Sequence, residues 1–301
     1  MNEPKHRGAT IVGLGETLWD VFPDGPRFGG APANFACSAA GLAGVDARVS
    51  MVSGVGKDEL GRQALSSFSE HGVETSAVLQ LPFPTGQVLV QLEAQGQATY
   101  EFVSGTAWDH LSWTTSMQHL AASADAVCFG TLGQRSEPSR EVIQRFLKEA
   151  SSDCLRVFDV NLRPPYWCER SLLQSLPLAN VLKCNEEELP VLSSLLDIRG
   201  DDISRLQQLA ERYAYQMVVL TRGGRWSLLL DQRGESSEQL AFDTAVVDTV
   251  GAGDSFTAAV VLGMLRKMPL PQIHTWANRV SAFVCSRSGA TPSIPGDLQQ
   301  A

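Results

Sequence analysis

Near the C-terminus, Val247-Asp248-Thr249-Val250-Gly251-Ala252-Gly253-Asp254-Ser255-Phe256 leads into the apolar run A-A-V-V-L-G-M-L. The pattern predicts the end of a strand, a tight loop of small residues, and a helix whose N-terminus opens on that loop. Free amides of Gly251, Ala252 and Gly253 at a helix N-terminus would form a cradle for an anion. A carboxylate in the same first turn, Asp254, then needs a separate reason. An anion hole with a carboxylate beside it is what phosphoryl transfer to a hydroxyl requires: stabilised phosphate charge and a proton acceptor. Asp254 could instead merely complement the helix dipole, but that leaves Gly-Ala-Gly and the preceding Asp248 unexplained.

Two other glycine motifs fail on inspection. Gly13-Leu14-Gly15-Glu16-Thr17-Leu18 begins like a dinucleotide fingerprint, but Leu18 replaces the third glycine. Trp19, Phe22, Pro23 and Pro26 then oppose the helix such a site needs. An NAD-dependent oxidoreductase is therefore a distant rival that requires a helix to open there. Gly56-Lys57 ends like a P-loop, but Asp58 stands where Ser or Thr belongs and Met51 where the first glycine belongs. There is no G-x-S-x-G elbow, no H-E-x-x-H and no Cys/His metal spacing.

The elements that must position these residues alternate short apolar runs with amphipathic stretches. Strands are expected at 9–15, 48–53, 126–130, 155–160, 181–184 and 217–221, with helices at 32–44, after Asp58, and at 139–150, 186–196 and 203–213. Continuous β-branched runs separated by helices imply a mainly parallel sheet covered on both faces. Gln87–Glu93 alternates apolar and polar residues, turns through A-Q-G-Q and returns as A-T-Y-E-F-V, the pattern of a hairpin. Trp226–Asp231 and Leu240–Val247 are expected as a second antiparallel piece. With 301 residues, 44% of them hydrophobic, the chain can bury a sizeable core. A net charge of −9 speaks against gripping nucleic acid or anionic lipid, and no apolar stretch reaches the ~20 residues of a membrane helix. Scattered single cysteines and a polar N-terminus fit a cytoplasmic protein.

D-T-V-G-A-G-D resembles the C-terminal signature of the ribokinase-like (PfkB) carbohydrate kinases, and Gly29-Gly30-Ala31-Pro32-Ala33-Asn34 resembles their N-terminal one. Between and beyond them S-G-V-G-K-D-E-L-G, D-V-N-L-R-P, N-E-E-E, L-T-R-G-G and S-G-A-T-P-S-I-P follow in family order. G-E-T-L-W-D-V-F-P and N-L-R-P-P-Y-W look most like the fructokinase branch. The resemblance implies one domain spanning residues 1–301 with a three-layer α/β/α ribokinase-like fold. Its central sheet would be mostly parallel, with a small β-lid from residues 18–27 and 85–106. It implies ATP-dependent phosphorylation of a sugar hydroxyl, with the 6-hydroxyl of fructose first among the substrates. 2-Keto-3-deoxygluconate, ribose or a nucleoside are the alternatives, and a non-catalytic sugar-binding relative is opposed by the intact glycine loop.

The same resemblance assigns roles by position. Asp254 would be the base, with Gly251, Ala252 and Gly253 the anion hole; Asp20, Gly30, Asn34, Asn161 and Arg163 would face the sugar. Asn185, Thr221, Gly223 and Asn278 would serve the nucleotide, with Asn185 and Glu188 organising Mg²⁺ partly through water. A capping box explains Asn185 and Glu188 equally well. A monovalent cation, K⁺, would lie by Asp248, Val250, Val284, Arg287, Gly289 and Ser293, although Asp248 could simply cap its loop. The usual T-x-G-x-x-G is here T-R-G-G-R-W, with Trp226 in place of the last glycine. The resemblance also implies a homodimer formed through the lid.

Overall fold

The computed structural model describes residues 8–92 and 98–299. The strands are β1 (Ala9–Leu14), β2 (Leu18–Phe22), β3 (Gly25–Gly29), β4 (Ala47–Gly56), β5 (Val73–Leu81), β6 (Gly86–Leu92), β7 (Ala98–Phe102), β8 (Ala126–Phe129), β9 (Leu155–Asp159), β10 (Val181–Asn185), β11 (Met217–Thr221), β12 (Trp226–Asp231) and β13 (Ser236–Leu240). The helices are α1 (Ala31–Ala43), α2 (Glu59–Glu70), α3 (Thr115–Ser123), α4 (Glu137–Glu149), α5 (Glu169–Ser175), α6 (Glu188–Leu196), α7 (Asp202–Tyr213), α8 (Ala252–Leu265) and α9 (Leu270–Cys285).

Nine strands form the central sheet in the order β13-β12-β11-β10-β9-β8-β1-β4-β5. Seven of them, from β11 to β5 in that order, run parallel, and β12 and β13 finish one edge antiparallel. Alternate residues of a strand point to opposite faces, and both faces are buried. Val12, Leu14, Phe158 and Leu182 pack under α3 to α7, while Ile11, Val157, Val181 and Val219 pack under α1, α8 and α9. Three layers result, as the continuous apolar runs of the strands require. Among the described residues, no helix is long and apolar enough to cross a membrane.

Two local signals act as expected. Asp58 caps α2 by accepting the Gly61 amide at 2.8 Å. Pro32 sits in the first turn of α1, where its missing N–H costs nothing. Small residues keep α1 and α8 narrow: Ala33, Ala36, Ala39, Ala258 and Ala259 are all fully buried. Both helices start at the same edge of the sheet, where the parallel strands end.

A second sheet, β3-β2-β6-β7, stands over that edge, with β2 parallel to β6 and the other pairs antiparallel. Its underside is apolar, with Leu18, Val88, Trp108 and Leu132 in one cluster and Trp19 against Val55 and Ala64 in another. The expected hairpin is β6–β7, with Val88 opposite Phe102; its turn, 93–97, lies outside the described residues.

The strand expected at Leu240–Val247 is displaced. Gly234 adopts φ 79° in a tight turn closed by Asp231, whose Oδ1 accepts the Arg233 and Glu235 amides. The chain therefore turns back at once, and the polar segment Ser236–Leu240 pairs with β12. The apolar residues that suggested a strand lie beyond it and are exposed, Val246 at 63% and Val247 at 64%. Nor does a helix open after Gly13-Leu14-Gly15, because β2 begins at Leu18. The dinucleotide reading loses its structural requirement.

Candidate active site

Gly251 caps α8 in a left-handed conformation, φ 77°. A Cβ there would meet the Ala290 carbonyl oxygen at 2.4 Å, so only glycine lets this loop close on the chain after α9. The amides of Gly251, Gly253 and Asp254 have no acceptor among the described residues. Ala252 differs from expectation: its amide turns inward to the Thr249 carbonyl at 3.3 Å. The cradle is thus made by Gly251, Gly253 and Asp254, whose N–H groups occupy the positive end of the helix.

Asp254 is held from across the gap, because Asn34 Nδ2 donates to its Oδ2 at 2.8 Å. Gly30 begins α1 at φ 107° and lies against the Glu16 carbonyl, which a Cβ would approach to 2.7 Å. That close approach sets the N-terminus of α1, and hence Asn34, opposite α8. Asn34 is buried and its own Oδ1 has no partner among the described residues. Burial raises the Asp254 carboxyl to about 6; the nearby Asp159 adds to the rise, and Lys183, the Asn34 bond and Arg163 oppose it.

Asp20 lies on β2, paired with Arg27 of β3 and Val88 of β6. It too is pushed up to about 6, first by burial, while Arg163 pulls down and Asp248 pushes up. Arg163 therefore carries its charge towards Asp20 and Asp254, and no carboxylate oxygen lies within 4 Å of it among the described residues. Asn161 takes a left-handed φ of 41°, and Thr131 donates to its carbonyl at 3.1 Å. Asp20, Asn34, Arg163 and Asp254 are thus brought near one another, with Gly30 at the start of the helix that carries Asn34 and Asn161 two residues before Arg163.

Asn185 and Glu188 form the reciprocal cap. Asn185 Oδ1 accepts the amides of Glu187 and Glu188, each at 2.9 Å, and Glu188 Oε2 accepts the Asn185 amide at 2.9 Å. Glu188 Oε1 also accepts the Leu162 amide at 2.8 Å, tying this cap to the loop that carries Arg163. Asp248 likewise caps its loop, accepting the amides of Val250 at 3.0 Å and Gly289 at 3.1 Å. Val284 is buried and its carbonyl accepts the Arg287 amide, Arg287 stacks on Phe283, and Ser293 is exposed. Among the described residues no group of three His, Cys, Asp or Glu side chains is arranged for a metal ion. Asn185 Oδ1 is filled by its two amides, whereas the Glu188 and Asp248 oxygens accept one bond each and keep a lone pair, so the two caps suit a cation held through water or backbone carbonyls.

Thr221 ends β11, and its carbonyl accepts the Glu186 amide at 3.1 Å. Gly223 follows at φ 54° in the turn to β12, and Trp226 lies under the Arg222 guanidinium at 4.6 Å. Asn278 stands apart from the central group. It is buried on α9, accepting from Ser227 at 3.2 Å in a network with His274 and Gln239.

Three charged residues were not singled out from the sequence. Glu16 is buried, with Oε2 unpartnered among the described residues, and burial raises it to about 7 while Asp254 adds to the rise. Asp159 and Lys183, opposite each other in the β9–β10 register, form a buried ion pair at 2.9 and 3.0 Å. Their strands read as apolar runs, and only a charged residue on the otherwise apolar face of each could have marked them.

The comparisons with known proteins show the family and the fold. Residues 24–297 match the model of the pfkB family carbohydrate kinase. The chain is 30% identical to a fructokinase of Salmonella typhimurium, over 95% of this chain and 96% of that one. A fructokinase of Xylella fastidiosa solved with bound ATP superposes with a TM-score of 0.82 at 26% identity, covering 95% of both chains. An uncharacterised sugar kinase of Pyrococcus horikoshii superposes with a TM-score of 0.81 at 25% identity, again over 95% of both.

Proposed function

We propose that this chain, which belongs to the pfkB family of carbohydrate kinases, transfers the γ-phosphoryl group of ATP to the 6-hydroxyl of fructose. The observation that carries the reading is Asp254. It is a carboxylate at the mouth of an amide-lined helix N-terminus, aimed by Asn34 and raised to about 6. A base with that proton affinity is ionised at neutral pH yet basic enough to take a hydroxyl proton in the transition state. The choice of fructose leans on the fructokinases among the similar proteins.

In this reading the sugar lies between Asp20 on β2 and the start of α1, its vicinal hydroxyls bonded to Asp20, Asn34 and Arg163. Asp254 accepts the 6-hydroxyl proton as that oxygen bonds to the γ-phosphorus, and the bond from phosphorus to the ADP oxygen breaks. The amides of Gly251, Gly253 and Asp254 stabilise charge on the transferring group. The turn through Thr221 and Gly223 borders the nucleotide. Asn278 supports that border from below through Ser227. Mg²⁺, held through water by Asn185 and Glu188, would neutralise phosphate charge. The sheet β3-β2-β6-β7 closes as a lid and excludes the water that would otherwise be phosphorylated.

K⁺ at the Asp248–Gly289 junction would stiffen the loop carrying Gly251. Exchanging K⁺ for a large organic cation at constant ionic strength should then slow turnover, and equal rates would remove the ion. The lid also pairs two copies, a reading supported by Tyr100 of β7, 54% exposed; a monomeric mass in solution would overturn it. We place the reaction in the cytoplasm, where the six free cysteines stay reduced. The test of substrate is ADP release across fructose, ribose, 2-keto-3-deoxygluconate and a nucleoside. Fructose should give the highest kcat/KM, and a higher value for any other sugar would replace it.

A further inference from the structure

Beneath the first turn of α8, the two neighbouring strands β9 and β10 carry paired charges on a face that is apolar up to that point. Val157 and Val181 pack in the apolar core under α8, and two residues further along, on the same face, stand Asp159 and Lys183. Both are buried. Lys183 Nζ donates to both Asp159 oxygens and lies 3.1 Å from where a Cβ on Gly253 would be. Thr257 Oγ1 shares its one proton between the Gly253 carbonyl at 2.9 Å and Asp159 Oδ2 at 3.3 Å, which ties the pair to the backbone of that turn. An apolar pair would fill this space without two desolvated charges, so packing alone does not account for it.

We propose that Lys183 and Asp159 are positioning residues, a charged brace under α8 in which Lys183 keeps the Asp254 carboxylate in its proton-accepting form and Asp159 holds Lys183 in place. Neither touches substrate in this account, and the inference rests on Asp254 being the base. The groups facing Asp254 are Asn34 from α1, Glu16 after β1, Cys128 of β8, Asp159 of β9, Arg163 after β9 and Lys183 of β10. Of these, Asp159 pushes its proton affinity up and Lys183 pulls it down. The two bonds from Lys183 Nζ to the Asp159 carboxylate, at 3.0 and 2.9 Å, pair the ammonium with an opposite charge where it is buried.

Opposite charges acting on one carboxylate give a test with opposite signs. The ¹³C carboxyl titration of Asp254 would be followed in the unliganded protein, the resonance being assigned by its loss in Asp254→Asn. Lys183→Gln should raise the titration midpoint by about 1 pH unit, Asp159→Asn should lower it, and Lys183→Arg should leave it near the wild-type value. The acid limb of kcat/KM should move with the midpoint in each case. Melting curves establish that each variant is folded, and where one is not, the other decides. Midpoints that stay fixed, or that move in the same direction in both variants, overturn the brace, as does an Arg variant that shifts as far as the Gln one. Wild-type turnover by Asp254→Asn would instead remove the base and leave the electrostatic measurement standing.

Discussion

Two turns of this molecule bring glycines to the ligand side of the sheet, and they are built on different terms. At the start of α8, Gly251 is pinned: its φ is 77° and the Ala290 backbone fills the space of a side chain. In the turn from β11 to β12, Gly223 and Gly224 have open space, with nothing within 4 Å of a Cβ at either. The first turn is fixed by packing against another loop, and its free amides are a consequence of that packing. The second is held by its flanking strands and by side chains, with Arg222 stacked on Trp226 and paired with Asp202, and Arg225 paired with Glu186. A glycine walled in by backbone has no substitute, whereas a turn held through side chains leaves its glycine positions open, and Trp226 stands where the resemblance would have the last glycine.

The sharpest break of this contrast is Gly251→Ala. A strained left-handed alanine and an overpacked Cβ together should cost about 3–5 kcal/mol of stability, with loss of nucleotide binding. A melting temperature within a degree of wild type would mean that the α8 loop is no more constrained than the other.

Asp20→Ala probes the sugar side, away from both turns. Removing an acceptor of hydroxyl groups should raise the fructose KM by ~1.5–3 kcal/mol, with ATP affinity unchanged. Unaltered sugar kinetics would take Asp20 out of the site.

The pH dependence follows from the raised carboxyls. Folded Asp254 and Asp20 both titrate near 6, above their usual range, so each gains its proton as pH falls through about 6. A protonated Asp254 accepts nothing, and kcat/KM should therefore fall below pH 6 and level off above 7. A flat profile from pH 5 to 8 would contradict the assignment. The same raised values mean that ionising these groups weakens the fold as pH rises from about 4 to 6, because the folded form binds the protons more tightly there.

Gly224→Ala should be the mildest change, within about 0.5 kcal/mol and with little effect on turnover. A large loss would show that the β11–β12 turn is held as tightly as the start of α8.

Much of this was legible in the residues alone, for reasons that differ by region. Runs such as Met217–Thr221 and Leu155–Asp159 are apolar on both faces because helices cover both, so they read as parallel strands without ambiguity. Gly-Ala-Gly-Asp was readable because backbone geometry restricts which residues can stand there. The edge strand Ser236–Leu240 was not, since the face it turns to α9 is polar, with Ser237 bonded to His274 and Gln239 to Thr275, while the exposed apolar residues after it imitated a strand. Asp159 and Lys183 lie 24 positions apart and meet only because two parallel strands pair in that register. Ala252 was expected to share in the anion cradle, and its inward amide depends on a turn that composition does not specify.

The central claim is that Asp254 takes the sugar proton, and Asp254→Asn tests it most directly because it keeps size and hydrogen-bonding shape while removing the acceptor. The measurement is kcat at saturating fructose and ATP, with ATP affinity and melting temperature taken on the same protein. A base of this kind contributes ~10²–10⁴ in rate, so kcat should fall by about that factor. ATP should still bind, because the cradle is made of backbone amides. The fold should change by no more than about 1 kcal/mol. Turnover close to wild type, with a lowered melting temperature, would instead make Asp254 a helix-capping charge and contradict the mechanism.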